Sequence, residues 1–220
     1  MQPRSRTDEL ELSVPTDEVV VARVLTGARE SFEVLMRRYN QRVFRAVRAV
    51  LRDDAEAEDV VQDAWVRAYA HLRQFAGRAS FATWVTRIAV HEALARRRRR
   101  MRQTPLADHA ATLPARTRSP EDEVDAQRAR VALEAAIDAL PARYRLAFVL
   151  REVEGLSTME AATCLDVPEA TVKTRLHRAR SLLRTHLDGT KGDPRDGVFA
   201  FAGHRCDRIV AAVMERIGAD

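Results

Sequence analysis

Aromatic residues are scarce in this chain, at 5% of 220 residues, so any core must be built mainly from alanine, leucine and valine. Only eight glycines are present, which disfavours a sheet fold with many tight turns. Two cysteines, Cys164 and Cys206, cannot make a disulfide framework and point to a reducing compartment. No apolar run reaches membrane-spanning length, so no membrane insertion is expected. The opening "MQPRSRTDELELSVPTDEVV" lacks the apolar core of a secretory signal. The expectation from these absences is a cytoplasmic helical protein. Lysine is also nearly missing: of 37 basic residues, only Lys173 and Lys191 are not arginine.

What is present allows folding. Hydrophobic residues make up 46% and charged residues 31%, a balance that buries cores and argues against global disorder. The net charge of +5 is modest, so clustering matters more than the total. Arginine's planar fork suits phosphates and guanine edges, although a GC-rich genome also favours arginine codons. The densest cluster is "VHEALARRRRRMR", residues 90–102, where a helical apolar pattern runs into five arginines. Such a run suits a solvated tail, a membrane surface, a targeting signal or nucleic acid.

The spacing predicts an all-α protein. Residues 1–27 are read as an N-terminal arm. From Glu30 the apolar positions Phe32, Leu35, Met36, Tyr39, Val43, Val47, Val50 and Leu51 follow helix periodicity. "RDDAEAED" supplies a turn and an acidic helix start. The next helix carries Val61, Ala64, Trp65, Ala68 and Leu72. "FAGRAS" breaks it, with Ser80 as the expected N-cap of a third helix bearing Phe81, Trp84, Val85 and Ile88. Both tryptophans are assigned to the core. Residues 28–102 thus make one domain, and 103–125, with three prolines and no periodicity, read as a flexible linker.

Residues 126–187 make a second small domain. Leu133, Ile137 and Leu140 mark one helix, and Pro141 opens the next. Ser157 and Glu160 have the spacing of a capping box. After a short turn, Pro168 opens a long basic helix, "PEATVKTRLHRARSLLR". Two helices joined this way, the second basic, are a helix-turn-helix. With Val172, Leu176 and Ala179 inward, Lys173, Thr174, His177 and Arg178 share the outer face. Arg175, Arg180 and Arg184 are better aimed at phosphates. The plainer alternative is a solvated basic face on a bundle helix. In the first domain Glu56, Asp59, Gln62 and Asp63 form an acidic face. Phosphates repel carboxylates, so that face suits a basic protein partner, or is ordinary solvated surface.

The stretches "DAEAEDVVQDAWVRAY" and "FAGRASFATWVTRIAVHEALARRRRR" resemble the second conserved region of bacterial sigma factors. "LPARYRLAFVLREVEGLSTMEAATCLDVPEATVKTRLHRAR" resembles their fourth region. A short linker in place of an intermediate domain resembles the extracytoplasmic-function (ECF) group of the sigma-70 family. The resemblance spans residues 28–187. It implies an RNA polymerase sigma factor that directs core polymerase to specific promoters in response to a stress or envelope signal. It implies that Glu56, Asp59, Gln62 and Asp63 dock on the beta-prime clamp helices of the core, and that the fourth region meets the beta flap. Gly77, Arg78, Ala79 and Ser80 would hold an unstacked base of the −10 element. Arg87 and His91 would contact the separated strand, and Arg96, Arg97 and their neighbours to residue 100 the adjacent backbone. Lys173, Thr174, Arg175, His177 and Arg178 would engage the −35 element. The linker would thread the polymerase cleft, and an anti-sigma factor would be a further partner. His91 stands where many relatives carry asparagine.

Two other classes compete. An autonomous helix-turn-helix regulator would bind duplex DNA without polymerase, leaving the acidic helix without a purpose. A recombinase would need a catalytic cluster. The chain has no nucleophile-and-base set, glycine-rich phosphate loop or metal-ligand set, so neither enzyme activity nor a cofactor is expected. Beyond the resemblance, residues 188–220 form a C-terminal extension. Ile209, Val210, Val213, Met214 and Ile217 predict a short amphipathic helix, expected to pack on the second domain or to serve as a regulatory tail. His204 and Cys206 alone do not make a metal site.

Overall fold

The computed structural model describes residues 15–103, 122–186 and 198–219, and among these nine α-helices and no strand are found. No helix among them is long and apolar enough to cross a membrane. The all-α expectation, two small helical domains with a C-terminal helical extension, is met.

Helices α2 (Phe32–Leu51), α3 (Asp54–Ala70) and α4 (Phe81–Gln103) pack on one another. Phe32, Leu35, Met36, Phe44, Trp65 and Phe81 are their largest fully buried side chains. The turns follow local chemistry. Arg52 adopts left-handed backbone (φ 63°) to end α2, and the Asp53 carboxylate accepts the Glu56 N–H at 2.7 Å to start α3. The Thr83 N–H donates to Ser80 Oγ at 3.2 Å, the cap expected from sequence. Trp65 is fully buried as expected. Trp84 is only half-buried, tilted against Phe75 and Phe81 at 5.5 and 5.6 Å between ring centroids.

The arm expectation needs correction. Residues 1–14 lie outside the described residues, but Asp17–Leu25 forms a helix, α1. Its run "EVVVARVL" obscured the helical period, because three successive valines cannot all face inward; Val20, Val21 and Val24 are the ones that are buried. Asp17 anchors α1 on α2, accepting from Arg38 at 2.7 Å and from the Tyr39 hydroxyl at 2.5 Å.

The second bundle contains α5 (Asp122–Ala139), α6 (Ala142–Phe148), α7 (Thr158–Leu165) and α8 (Glu169–His186). Helix α5 begins at Asp122, inside the span read as linker. The linker residues 104–121 lie outside the described residues. Helix α6 widens into a π-helical turn over Val149–Val153. The Ser157–Glu160 capping box is present with both of its hydrogen bonds.

The two bundles pack against each other. Arg145, 2% exposed, donates to the carbonyls of Asp138 (2.6 Å) and Leu140 (3.1 Å) at the end of α5, and to that of Ala49 near the end of α2. It therefore serves the orphan C-terminal acceptors of helices from both domains. Burial pushes the Arg145 guanidinium down to about 10, still cationic at neutral pH. Arg48 of α2 forms a two-bond pair with Asp138 at 3.0 and 2.9 Å, and Arg42 and Arg45 reach Glu154 at 3.6 and 3.3 Å.

The extension forms α9 (Gly203–Gly218). It packs on α2 and α3 of the first domain, not on the second domain as expected. An aromatic contact between Phe44 and Phe201, at 5.4 Å, sets its entry. Residues 187–197 lie outside the described residues.

Candidate nucleic-acid and partner interfaces

The helix-turn-helix is formed by α7, a turn at 166–168 and α8. Asp166 ends α7 in left-handed backbone (φ 53°), a conformation aspartate tolerates better than most residues. The Pro168 carbonyl accepts the Thr171 and Val172 N–H groups at 2.9 and 3.3 Å, starting α8. Val172, Leu176, Ala179 and Leu183 are buried. Lys173, Thr174, His177 and Arg178 all lie exposed on the far side, and Arg175 is half-buried. Arg180 is turned towards Glu152, at 2.7 Å. An exposed basic row near the start of a helix, braced by a capped partner, is the geometry of a major-groove reader.

In the first domain the short loop before α4 exposes Gly77, Arg78 and Ser80 and half-buries Ala79. Gly77 takes φ 66°, which a side chain would strain. The loop rests on an aromatic base, with Phe75 edge-on to Phe81 at 5.5 Å. Along α4, Arg87 and His91 are exposed on one side. Arg87 reaches across to Asp166 of the helix-turn-helix at 3.7 Å. Desolvation and the nearby Arg87 charge hold the His91 imidazole below its ordinary value, so it is neutral at physiological pH.

The arginine run and the acidic helix meet. Arg96 and Arg100 pair with Glu56 at 3.2 and 3.0 Å, which draws one carboxylate of the expected partner face inward. Arg97 is half-buried, while Arg98 and Arg99 are exposed. Asp59 is exposed and Gln62 half-buried. Asp63 accepts from Arg216 of α9 at 3.0 Å.

Several functional contacts escaped the sequence reading. Thr83 Oγ1 donates to Glu160 Oε1 at 3.2 Å across the domain boundary, so one carboxylate serves both the capping box and the interface. Glu58, which is not among the residues of the expected partner face, holds Arg205 and Arg208. The spacing of Arg205, Arg208 and Arg216 beside the apolar stripe of α9 was the available signal.

These features define a helical DNA-binding protein of two linked modules. The Sigma-70 region 2 family profile matches residues 35–103, and the Sigma-70, region 4 profile matches residues 130–183. The chain is 34% identical over 182 residues to the ECF RNA polymerase sigma-E factor of Haemophilus influenzae, spanning 78% of this chain and 95% of that protein. It is 32% identical over 181 residues to the RNA polymerase sigma-H factor of Pseudomonas aeruginosa, spanning 78% and 94%. Its fold is similar to CnrH in complex with the cytosolic domain of CnrY (TM-score 0.57, 25% identity, 80% of this chain and 99% of that one). It is also similar to the sigma factor RpoE in complex with the anti-sigma factor NepR from Bartonella quintana (TM-score 0.58, 23% identity, 74% and 99%). The chain belongs to the sigma-70 family, within its ECF group. It is an RNA polymerase sigma factor, and its partners are the polymerase core and promoter DNA.

Proposed function

We propose that the work of this sigma factor is divided as follows. The α3 face with Glu56, Asp59, Gln62 and Asp63 docks on the beta-prime clamp helices of the core, and the second domain meets the beta flap. Gly77, Arg78, Ala79 and Ser80 hold an unstacked −10 base. Arg87 and His91 contact the separated strand, and Arg96 and Arg97 the adjacent backbone. Lys173, Thr174, Arg175, His177 and Arg178 engage the −35 element. In this scheme the first domain takes in α1 to α4 and the second α5 to α8, and the protein acts in the cytoplasm by binding alone, without catalysis.

The observation that carries the reading is the exposed row of Lys173, Thr174, His177 and Arg178 on α8, which follows the capped helix α7. Unstacking a base costs a few kcal/mol, which two tethered reading modules on one polymerase can offset together. An anti-sigma factor is a further partner. Support comes from CnrH and RpoE, each solved with a protein bound, NepR being an anti-sigma factor.

Run-off transcription with purified core and genomic promoter fragments tests the scheme. Transcripts should require both proteins. Lys173→Ala and Arg178→Ala should reduce output most at promoters whose −35 sequence is intact. Equal loss on every template, or none, would reject the assignment of α8 as the −35 reader.

A further inference from the structure

Helix α9 lies along α3 in the same chain direction. Arg205 meets Asp54 at 3.0 Å and Glu58 at 3.5 Å, Arg208 grips Glu58 with two bonds of 2.9 Å, and Arg216 meets Asp63 at 3.0 Å. Arg37 of α2 adds a pair with Asp207 at 2.8 Å. Beneath these, Ile209, Val210, Val213 and Ile217 are buried. Asn40 Nδ2 donates to Cys206 Sγ at 3.2 Å, and the Arg205 guanidinium lies 4.4 Å from the centre of the Phe44 ring. The region 4 match ends at residue 183, before α9 begins at Gly203, so α9 lies outside both family-matched segments.

We infer that the outer face of α3 is a receptor for an arginine-bearing amphipathic helix, that α9 fills it in the free protein, and that polymerase core must displace α9 to dock. The inference rests on the proposed docking of α3 on the core. Its logic is competition at Asp63, the residue that the α9 contacts share with the proposed docking face, with Glu58 beside Asp59. Asp63 cannot hold Arg216 and a basic group of the core in the same geometry. Being in the same chain, α9 meets α3 at an effective concentration on the order of millimolar, so a modest helix–helix contact suffices to hold it closed. The latch is also releasable. The Arg208 and Arg216 side chains are 53% and 45% exposed, so their pairs are individually weak and weakened by salt.

The test measures affinity for purified core by fluorescence anisotropy of the labelled full chain at fixed salt. The variants are Arg208→Glu/Arg216→Glu, a deletion of residues 198–220, and Asp59→Lys, which lies on α3. The first two should bind core about tenfold more tightly, and Asp59→Lys should bind more weakly. If the double variant and the deletion bind no better than wild type while Asp59→Lys weakens binding, the latch is wrong and the docking reading stands. If Asp59→Lys changes nothing, the docking reading falls and takes the latch with it. Should the deletion aggregate, Cys206 in the full-length proteins decides. Its alkylation, read peptide by peptide by mass spectrometry, should speed up in Arg208→Glu/Arg216→Glu and on adding core to wild type. Unchanged rates in both would overturn the proposal.

Discussion

Cys164 Sγ lies 3.6 Å from the carbonyl oxygen of Thr83, joining the first helix of the helix-turn-helix to the helix that carries Arg87 and His91. Both proposed DNA-facing elements are thus in contact with each other through α4 and α7. Arg87, turned to Asp166, cannot also hold a DNA strand in this arrangement. On the proposed DNA contacts, engagement of a promoter is expected to open the contact.

The buried thiol reports that opening. Burial pushes Cys164 up to about 12, so almost no thiolate exists at neutral pH in the closed protein. In the free protein the Cys164 peptide should resist iodoacetamide, and it should become reactive when core polymerase is added. Rapid labelling in the absence of core would contradict the closed arrangement.

Glu160 gives the interface a pH dependence. The Ser157 N–H, then the Ser157 hydroxyl and the Thr83 hydroxyl, hold its carboxyl below the ordinary value of 4.5. The stability it adds is fully present above about pH 4.5 and is lost as pH falls through the lower folded value. Glu160→Gln keeps an oxygen for the Ser157 N–H but loses the charge, so it should lower Tm at pH 7. The difference in Tm between wild type and variant should narrow as the pH falls below 4.5. A constant gap from pH 7 to pH 3 would show that the carboxylate charge does not matter.

Arg145→Met should be among the most damaging substitutions that leave the proposed DNA- and core-contacting residues intact. It removes the donor from three carbonyls at two helix ends while keeping the apolar stem. A loss of about 3 kcal/mol is expected in urea denaturation. A loss below 1 kcal/mol would mean that water replaces the guanidinium there.

The arginine run makes a salt-dependent prediction. Arg98 and Arg99 are exposed, whereas Arg96 and Arg100 are engaged by Glu56. Replacing Arg98 and Arg99 with alanine should flatten the slope of log affinity against log salt for promoter binding by the holoenzyme. The change should be about 0.7 to 0.9 per arginine if each meets a phosphate. An unchanged slope would assign the run to a solvated helix end.

Local chemistry was legible without coordinates. Helix α2, the Ser80 cap, the Ser157–Glu160 box and the outward face of α8 follow from spacing and capping, which act within a few residues along the chain. Helix α1 was missed because its valine run breaks the period. The position of α9 was misjudged because an amphipathic stripe states that a helix packs, not on what.

The sequence by itself therefore determined the helices other than α1, the helix-turn-helix and the family, since these depend on local patterns. Only the tertiary structure decided that Glu56 faces the arginine run, that Arg145 serves two domains and that α9 lies on α3. Those choices depend on which surfaces meet across 40 to 150 residues of chain. Complementary charge and apolar area can be satisfied there in many ways until the whole chain is packed.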